Sequence, residues 1–178
     1  MFLGCDPLTK APELPATTLT DGCYAYMFYM CSNLKEPPAL PATELAPNCY
    51  NAMFKGCTSL ETAPILPAEK METRCYQEML SSCTSLVTPP VLPAKELARE
   101  CYSQMFSRCD AMKEGPALPA TTLAPGCYMA MFFMCENLTK APELLSTELA
   151  DSCYVAMFSR CTSLNRFRDV LPATALKT

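Results

Sequence analysis

The sequence predicts an α/β repeat solenoid, and three observations predict it. The pattern CYxxMFxxCxxL recurs every 26 residues, at Cys23, Cys49, Cys75, Cys101, Cys127 and Cys153. A fixed period in this range marks supersecondary units that bury their apolar faces only against the next copy. Within each copy, an apolar stretch with four-residue spacing is followed by a leucine-flanked segment with a central proline, so helix and strand are expected to alternate. Half of the residues are hydrophobic and 18% are charged, enough apolar area to fold and too much for a disordered chain.

The copy from Cys49 to Arg74 illustrates the elements. Leu45, Cys49, Met53 and Cys57 lie four apart and share one slowly drifting helical stripe. Pro47 suits a first turn, where no amide donor is needed. Asp21, Asp151 and Ser152 occupy the capping region in other copies, and Gly56 is placed to end the turn in the left-handed region. This spacing predicts a short helix of about two to three turns.

Residues 58–66 follow as an extended segment. Leucine holds both ends in most copies, as in Leu34 and Leu40, Leu86 and Leu92, Leu138 and Leu144. Pro12, Pro38, Pro64, Pro90, Pro116 and Pro142 sit near its centre. Each removes a ladder donor, so strands of only about two or three paired residues, or a bulge, are expected. The following Pro67-Ala68-Glu69-Lys70-Met71, LPATxL in most copies, is a turn back to the next helix. Leu34, Leu60, Leu86, Met112, Leu138 and Leu164 share one phase and are expected to form a buried column.

Met53-Phe54-Lys55-Gly56-Cys57-Thr58-Ser59-Leu60 and Ala63-Pro64-Ile65-Leu66-Pro67 together resemble the AFxGCxxL block and the strand-and-turn of BspA-like leucine-rich repeats, in a cysteine-containing, Bacteroides-type variant. The resemblance spans essentially the whole chain. It departs from the family in its longer repeat and in the cysteine that opens each CY pair. It implies a right-handed leucine-rich-repeat superhelix, strands on one face and helices on the other, of about six to seven rungs. It also implies a secreted or bacterial cell-surface address and a role in adhesion or protein binding, and it carries over no catalytic residue. Met1 falls in phase with Met27 and Met53, so residues 1–178 are expected to be one array cut in mid-repeat at both ends, part of a longer protein.

The thirteen cysteines fall into two columns, one from Cys23 to Cys153 and one from Cys5 to Cys161. An odd count excludes complete internal pairing. Parallel Cβ vectors in neighbouring rungs disfavour bridges, and the absence of CxxC and of histidine disfavours zinc. Free, buried thiols packing as small hydrophobes are expected. No pattern calls for a cofactor or a metal. Without histidine, and with glutamates interleaved among lysines, the chain is not expected to be an enzyme. The net charge of −4, with no basic block, argues against nucleic acid. No apolar run reaches the length of a membrane span. The LPATT and LPATE strings resemble a sorting signal, but their recurrence in one phase makes them the repeat turn.

Positions that vary between copies carry the functional signal. The residues after CY and after MF are polar in most copies: Asn51 and Lys55, Gln77 and Ser81, Ser103 and Ser107. Two copies carry large apolar groups instead. Tyr26, Tyr29, Met30, Met129, Phe133 and Met134 are therefore the candidate contact residues, for a protein, a cell-surface ligand or self-association. A binding or adhesion surface is the leading expectation. A structural spacer is second, and a thiol-redox or metal-storing protein third. The last copy breaks pattern, and Arg166, Phe167 and Arg168 are expected to cap it.

Overall fold

The structure is a computed structural model and describes residues 2–164. The expected cap at Arg166, Phe167 and Arg168 lies outside the described residues.

Main-chain hydrogen bonds build the architecture from two alternating partners. The amides of Tyr50, Ala52, Phe54 and Gly56 donate across to the carbonyls of Cys75, Gln77, Met79 and Ser81, at 2.8–3.0 Å. The amides between them, of Asn51, Met53, Lys55 and Cys57, donate back three residues to Asn48, Tyr50, Ala52 and Phe54, at 3.0–3.2 Å. The same two sets recur in neighbouring copies, through Tyr102 to Cys127 and Tyr128 to Cys153. Each copy is thus a coil of turns laid parallel on the next.

Every fourth residue of this turn ribbon is left-handed. Asn48, Ala52 and Gly56 have φ of 57°, 49° and 79°, and Arg74, Glu78 and Ser82 repeat the pattern. That conformation costs a non-glycine residue about 1–2 kcal/mol. It persists here because it aims alternate amides at the adjoining coil.

The ribbon corrects the predicted helices: among the described residues there is no α-helix. The physical reason is spacing. An α-helix is about 10–12 Å across and sends each amide to the carbonyl four residues back. Coils hydrogen-bonded to one another lie about 5 Å apart. They leave no room for a helical layer and take half of its donors.

The predicted sheet layer is corrected as well. No strand is present among the described residues, and the leucine-flanked segment forms only isolated parallel bridges. Lys10 pairs with Glu36, Thr62 with Thr88 and Glu114 with Lys140. The intervening gaps have a local cause. Ala11 and Ala63 donate to the carbonyls of Glu36 and Thr88, at 2.9 and 3.2 Å. Pro37 and Pro89 occupy the equivalent places and have no N–H to give. A second row, Thr18 with Glu44, Lys70 with Glu96 and Glu96 with Thr122, is equally intermittent. The α/β solenoid class, the right-handed leucine-rich-repeat superhelix and the BspA-like resemblance are therefore overturned: neither of the two layers that define them is there.

Side chains fill the interior in columns one period apart. Tyr24, Tyr50, Tyr76, Tyr102, Tyr128 and Tyr154 stack with ring centroids 5.7–6.0 Å apart. Phe2, Phe28 and Phe54 stack at 5.5 Å, and Phe106, Phe132 and Phe158 at 5.5–5.7 Å. Leu80 interrupts the phenylalanine column and is fully buried. The second cysteine column donates its thiols to carbonyls of the preceding coil, Cys57 to Phe28 at 3.1 Å and Cys135 to Phe106 at 2.9 Å. Leu34, Leu60, Leu86, Met112, Leu138 and Leu164 are all buried.

The interrupted column yields one expectation. Leu80→Phe places a ring where sister coils hold one, and stacking is worth about 0.5–1.5 kcal/mol beyond area burial. The variant should be more stable by about 1 kcal/mol in chemical denaturation. A loss of similar size would show that the coils around Leu80 have closed on the smaller side chain.

The left-handed positions yield another. A Cβ on Gly56 would lie 2.5 Å from the Met30 sulfur, at φ 79°. Gly56→Ala should cost about 1 kcal/mol or more, whereas Arg108→Gly, at φ 60° and exposed, should gain about 0.5–1 kcal/mol. The same sign for both in a thermal or urea series would refute the turn ribbon.

Candidate interaction face

The bridged side of the coils differs from the turn ribbon in what it exposes. Because residues 64–68 alternate between buried and outward positions, Leu66 and Ala68 go inward and Ile65 points out. Ile65 is 83% exposed, Val91 in the next coil 79%, and Val87 in that same coil 59%. Sister positions of Ile65 and Val91 are Ala39 and Ala117, then Glu13 and Glu143 at the outer coils. The column is apolar in the middle and acidic at both ends.

Shallow furrows run beside it. One of ≈ 410 Å³ is lined in part by Lys10, Glu13, Glu36 and Ala39. A second of ≈ 370 Å³ is lined in part by Pro38, Pro64 and Ile65. A third of ≈ 540 Å³, on the neighbouring turn, carries Glu69, Lys70, Lys95 and Glu96. Lys10 pairs with Glu36 at 2.8 Å and Lys140 with Glu114 at 3.3 Å, all four side chains well exposed. The Glu36 carboxylate raises the Lys10 pKa, first by its hydrogen bond and then by its charge, and Glu13 adds to it.

The six residues singled out in the sequence lie on the turn ribbon, in two groups that the fold does not bring together. Tyr26 and Met30 are about half exposed, at 47% and 52%; Tyr29, Met129, Phe133 and Met134 are partly buried. Tyr26 tilts against Tyr29 at 5.9 Å, and the guanidinium of Arg160 lies 6.0 Å from the Phe133 ring centroid. Part of this apolar surface is thus spent on local contacts.

Residues expected to face outward on a helix do not do so on the ribbon. Ser81, Ser103 and Ser107 are buried. The Asn51 amide donates to the Gln77 side chain at 2.9 Å, and the Ser107 hydroxyl to the Phe133 carbonyl at 3.2 Å. Ser103 Oγ is buried without a partner. Ile65, Val87 and Val91 lie outside the CYxxMFxxC stretch that carries the six sequence candidates. Comparison of Ile65 and Val91 with Glu13 and Glu143 carries the same signal for the other side.

Eleven of the thirteen thiols are buried, while Cys5 is half-buried and Cys23 exposed. Burial pushes Cys49 and Cys127 up to about 11, and Cys57, Cys75 and Cys135 up to about 12. The described residues contain no group of cysteines and carboxylates able to hold a metal ion. The thiol-redox or metal-storing reading is therefore overturned: the cysteines form no disulfide and no metal-holding group among the described residues, and eleven of the thirteen are buried away from reagents. The adhesion surface and the spacer both presupposed the leucine-rich-repeat architecture, and they fall with it.

No protein-family model matches the chain, and no curated protein matches it. Among solved structures, a leucine-rich repeat protein from Bacteroides ovatus ATCC 8483 is 16% identical over 92% of this chain and 55% of its own, with a TM-score of 0.38. A leucine rich cell surface protein from Faecalibacterium prausnitzii A2-165 is 17% identical over 92% of this chain and 60% of its own, with a TM-score of 0.29. This chain thus spans little more than half of either protein, and superpositions this loose carry no argument about it.

The buried thiols predict alkaline instability. A thiol ionises in the unfolded chain near pH 9, while the five named groups hold their protons to about 11–12 in the fold. The folded state then binds more protons than the unfolded one, so stability falls as pH rises. Their contribution is fully present below about pH 8. It declines by about 1.4 kcal/mol per thiol and pH unit above pH 9. All five act in the same direction, so the decline is a large fraction of the stability of a typical domain. Urea titrations under reductant from pH 7 to 10.5 should show this decline, and a flat profile would refute the buried columns.

Proposed function

We propose that the chain carries no catalytic step and acts through contact with a protein, made on the bridged side around Ile65, Val87 and Val91. The observation behind this reading is the exposure of those three side chains, at 83%, 59% and 79%. Exposed apolar groups that cluster within a charged border are characteristic of contact surfaces, where a few central anchors carry most of the energy. The border here is Lys10, Glu13, Glu36, Glu114, Lys140 and Glu143. Such exposed ion pairs contribute about 1 kcal/mol at most. The anchors therefore set affinity, and the charges orient the partner.

No helix among the described residues is long and apolar enough to cross a membrane.

The turn-ribbon groups, Tyr26, Tyr29 and Met30 with Met129, Phe133 and Met134, are a second candidate for the same kind of contact. The half exposure of Tyr26 and Met30 supports them. The bridged side leads because its apolar groups make no equivalent local contacts.

A photocrosslinking amino acid placed in turn at Val91, Tyr29 and Gln104 separates the two faces. A defined partner should crosslink from Val91, be competed by excess unlabelled protein, and be lost in Ile65→Asp. Crosslinking confined to Tyr29 would move the contact to the ribbon. Equal yields from all three positions would sink a specific contact on either face.

A further inference from the structure

Resting on the protein-contact reading of the bridged side, we infer that its partner is a second copy of this chain, packed face to face about a two-fold axis that runs along the stack. The charge pattern carries this inference. At the first coil Lys10 and Glu13 line one furrow, and at the last bridged coil Lys140 and Glu143 hold the equivalent positions. Between them the outward pairs are Glu36 with Ala39, Thr62 with Ile65, Thr88 with Val91 and Glu114 with Ala117.

An axis along the stack keeps each coil opposite the same coil of the partner and reverses the chain direction across the interface. Lys10 then faces the second copy's Glu13, and Lys140 faces its Glu143. Each contact occurs twice, because a two-fold interface is isologous. In that register Val91 meets the second copy's Thr88 and Ile65 its Thr62, so each exposed apolar side chain lies over a threonine.

The alternative two-fold axis, along the segment and perpendicular to the stack, gives the opposite result. It sets Lys10 against Lys140, Glu13 against Glu143 and Glu36 against Glu114, three like-charge contacts. Opposed like charges cost free energy and select against that arrangement.

Backbone approach favours the same axis. The residues along it are Ala11, Pro37, Ala63, Pro89, Gly115 and Ala141, all small or ring-closed, so no long side chain holds the faces apart. The flanking lysines already pair within their own coils, Lys10 with Glu36 and Lys140 with Glu114. Dimerisation therefore adds a second carboxylate to Lys10 and to Lys140.

Sedimentation equilibrium of the full chain across about 1–200 μM tests the inference. The chain should dimerise reversibly, and higher salt should weaken the dimer through screening of the rim pairs. Val91→Asp should weaken it at least tenfold. Glu13→Lys should weaken it about threefold to tenfold, and the double reversal Lys10→Glu with Glu13→Lys should recover most of that loss. Denaturant midpoints of all variants near that of the parent confirm that folding is intact, as their exposed positions lead one to expect. A chain monomeric throughout the range overturns the second copy and leaves the protein-contact reading to its crosslinking test. A dimer insensitive to Val91→Asp puts the self-contact on another face, overturns the inference and leaves the protein-contact reading to its crosslinking test. A dimer lost in Val91→Asp but not recovered by the double reversal retains the face and overturns the axis.

Discussion

The alternation of amide partners along the CYxxMFxxC stretch governs this structure. One N–H goes across to the next coil and the next goes back three residues, as at Tyr50 to Cys75 and Asn51 to Asn48. Both bonds cannot be made by a helix or by a plain strand. Making them requires a left-handed residue at every fourth position, and Ala52, Glu78 and Gln104 accept that conformation at φ 49°, 55° and 55°. The local cost, about 1–2 kcal/mol each, is offset where burial and cross-coil bonds depend on it. Cys49, Met53, Phe54 and Cys57 are fully buried on this ribbon.

Stacking follows from the same bonds. Coils in register bring identical side chains above one another, so tyrosine meets tyrosine and phenylalanine meets phenylalanine with nearly parallel rings, 2° apart for Tyr50 and Tyr76. The register also places polar groups where no partner awaits them. The hydroxyls of Tyr50 and Tyr102 are buried and unpaired. Burial raises the pKa of both well above that of an exposed phenol. The thiols fare better: from Cys31 to Cys161 each of the second column donates to the carbonyl of the preceding coil, as Cys83 does to Phe54 at 3.2 Å.

Charged pairs are peripheral to this frame. Arg74 reaches Glu100 at 2.6 Å and Arg99 reaches it at 3.1 Å, and the hydrogen bond from Arg74 holds the Glu100 carboxyl below its usual range despite some desolvation. Lys55 pairs with Glu78 across two coils. Such pairs tune the ribbon's outer rim; they do not hold the coils together. The bridged side is coupled more loosely, since Pro37 and Pro89 remove donors there. Side chains on that side stand clear of the main chain, which is why Ile65 and Val91 are so exposed.

From residues alone, the 26-residue period, the buried leucine and cysteine columns and the lost donors at proline were legible. Each depends on phase or covalent structure: identical residues one period apart meet identical surroundings, and proline lacks its N–H in any fold. The secondary structure was not legible. Leu45, Cys49, Met53 and Cys57 fit a helical stripe, yet a turn ribbon with a left-handed residue every four positions has the same four-residue spacing. Periodicity reports which residues are buried and not which carbonyl an amide chooses. That choice was decided by the neighbouring coil, because only a stacked copy supplies the acceptor that replaces the one four residues back. The contact residues divide in the same way. Tyr26 and Phe133 stood out as variable residues in the sequence, but the coil geometry decided that Ser103 is buried and that Ile65 and Val91 face water.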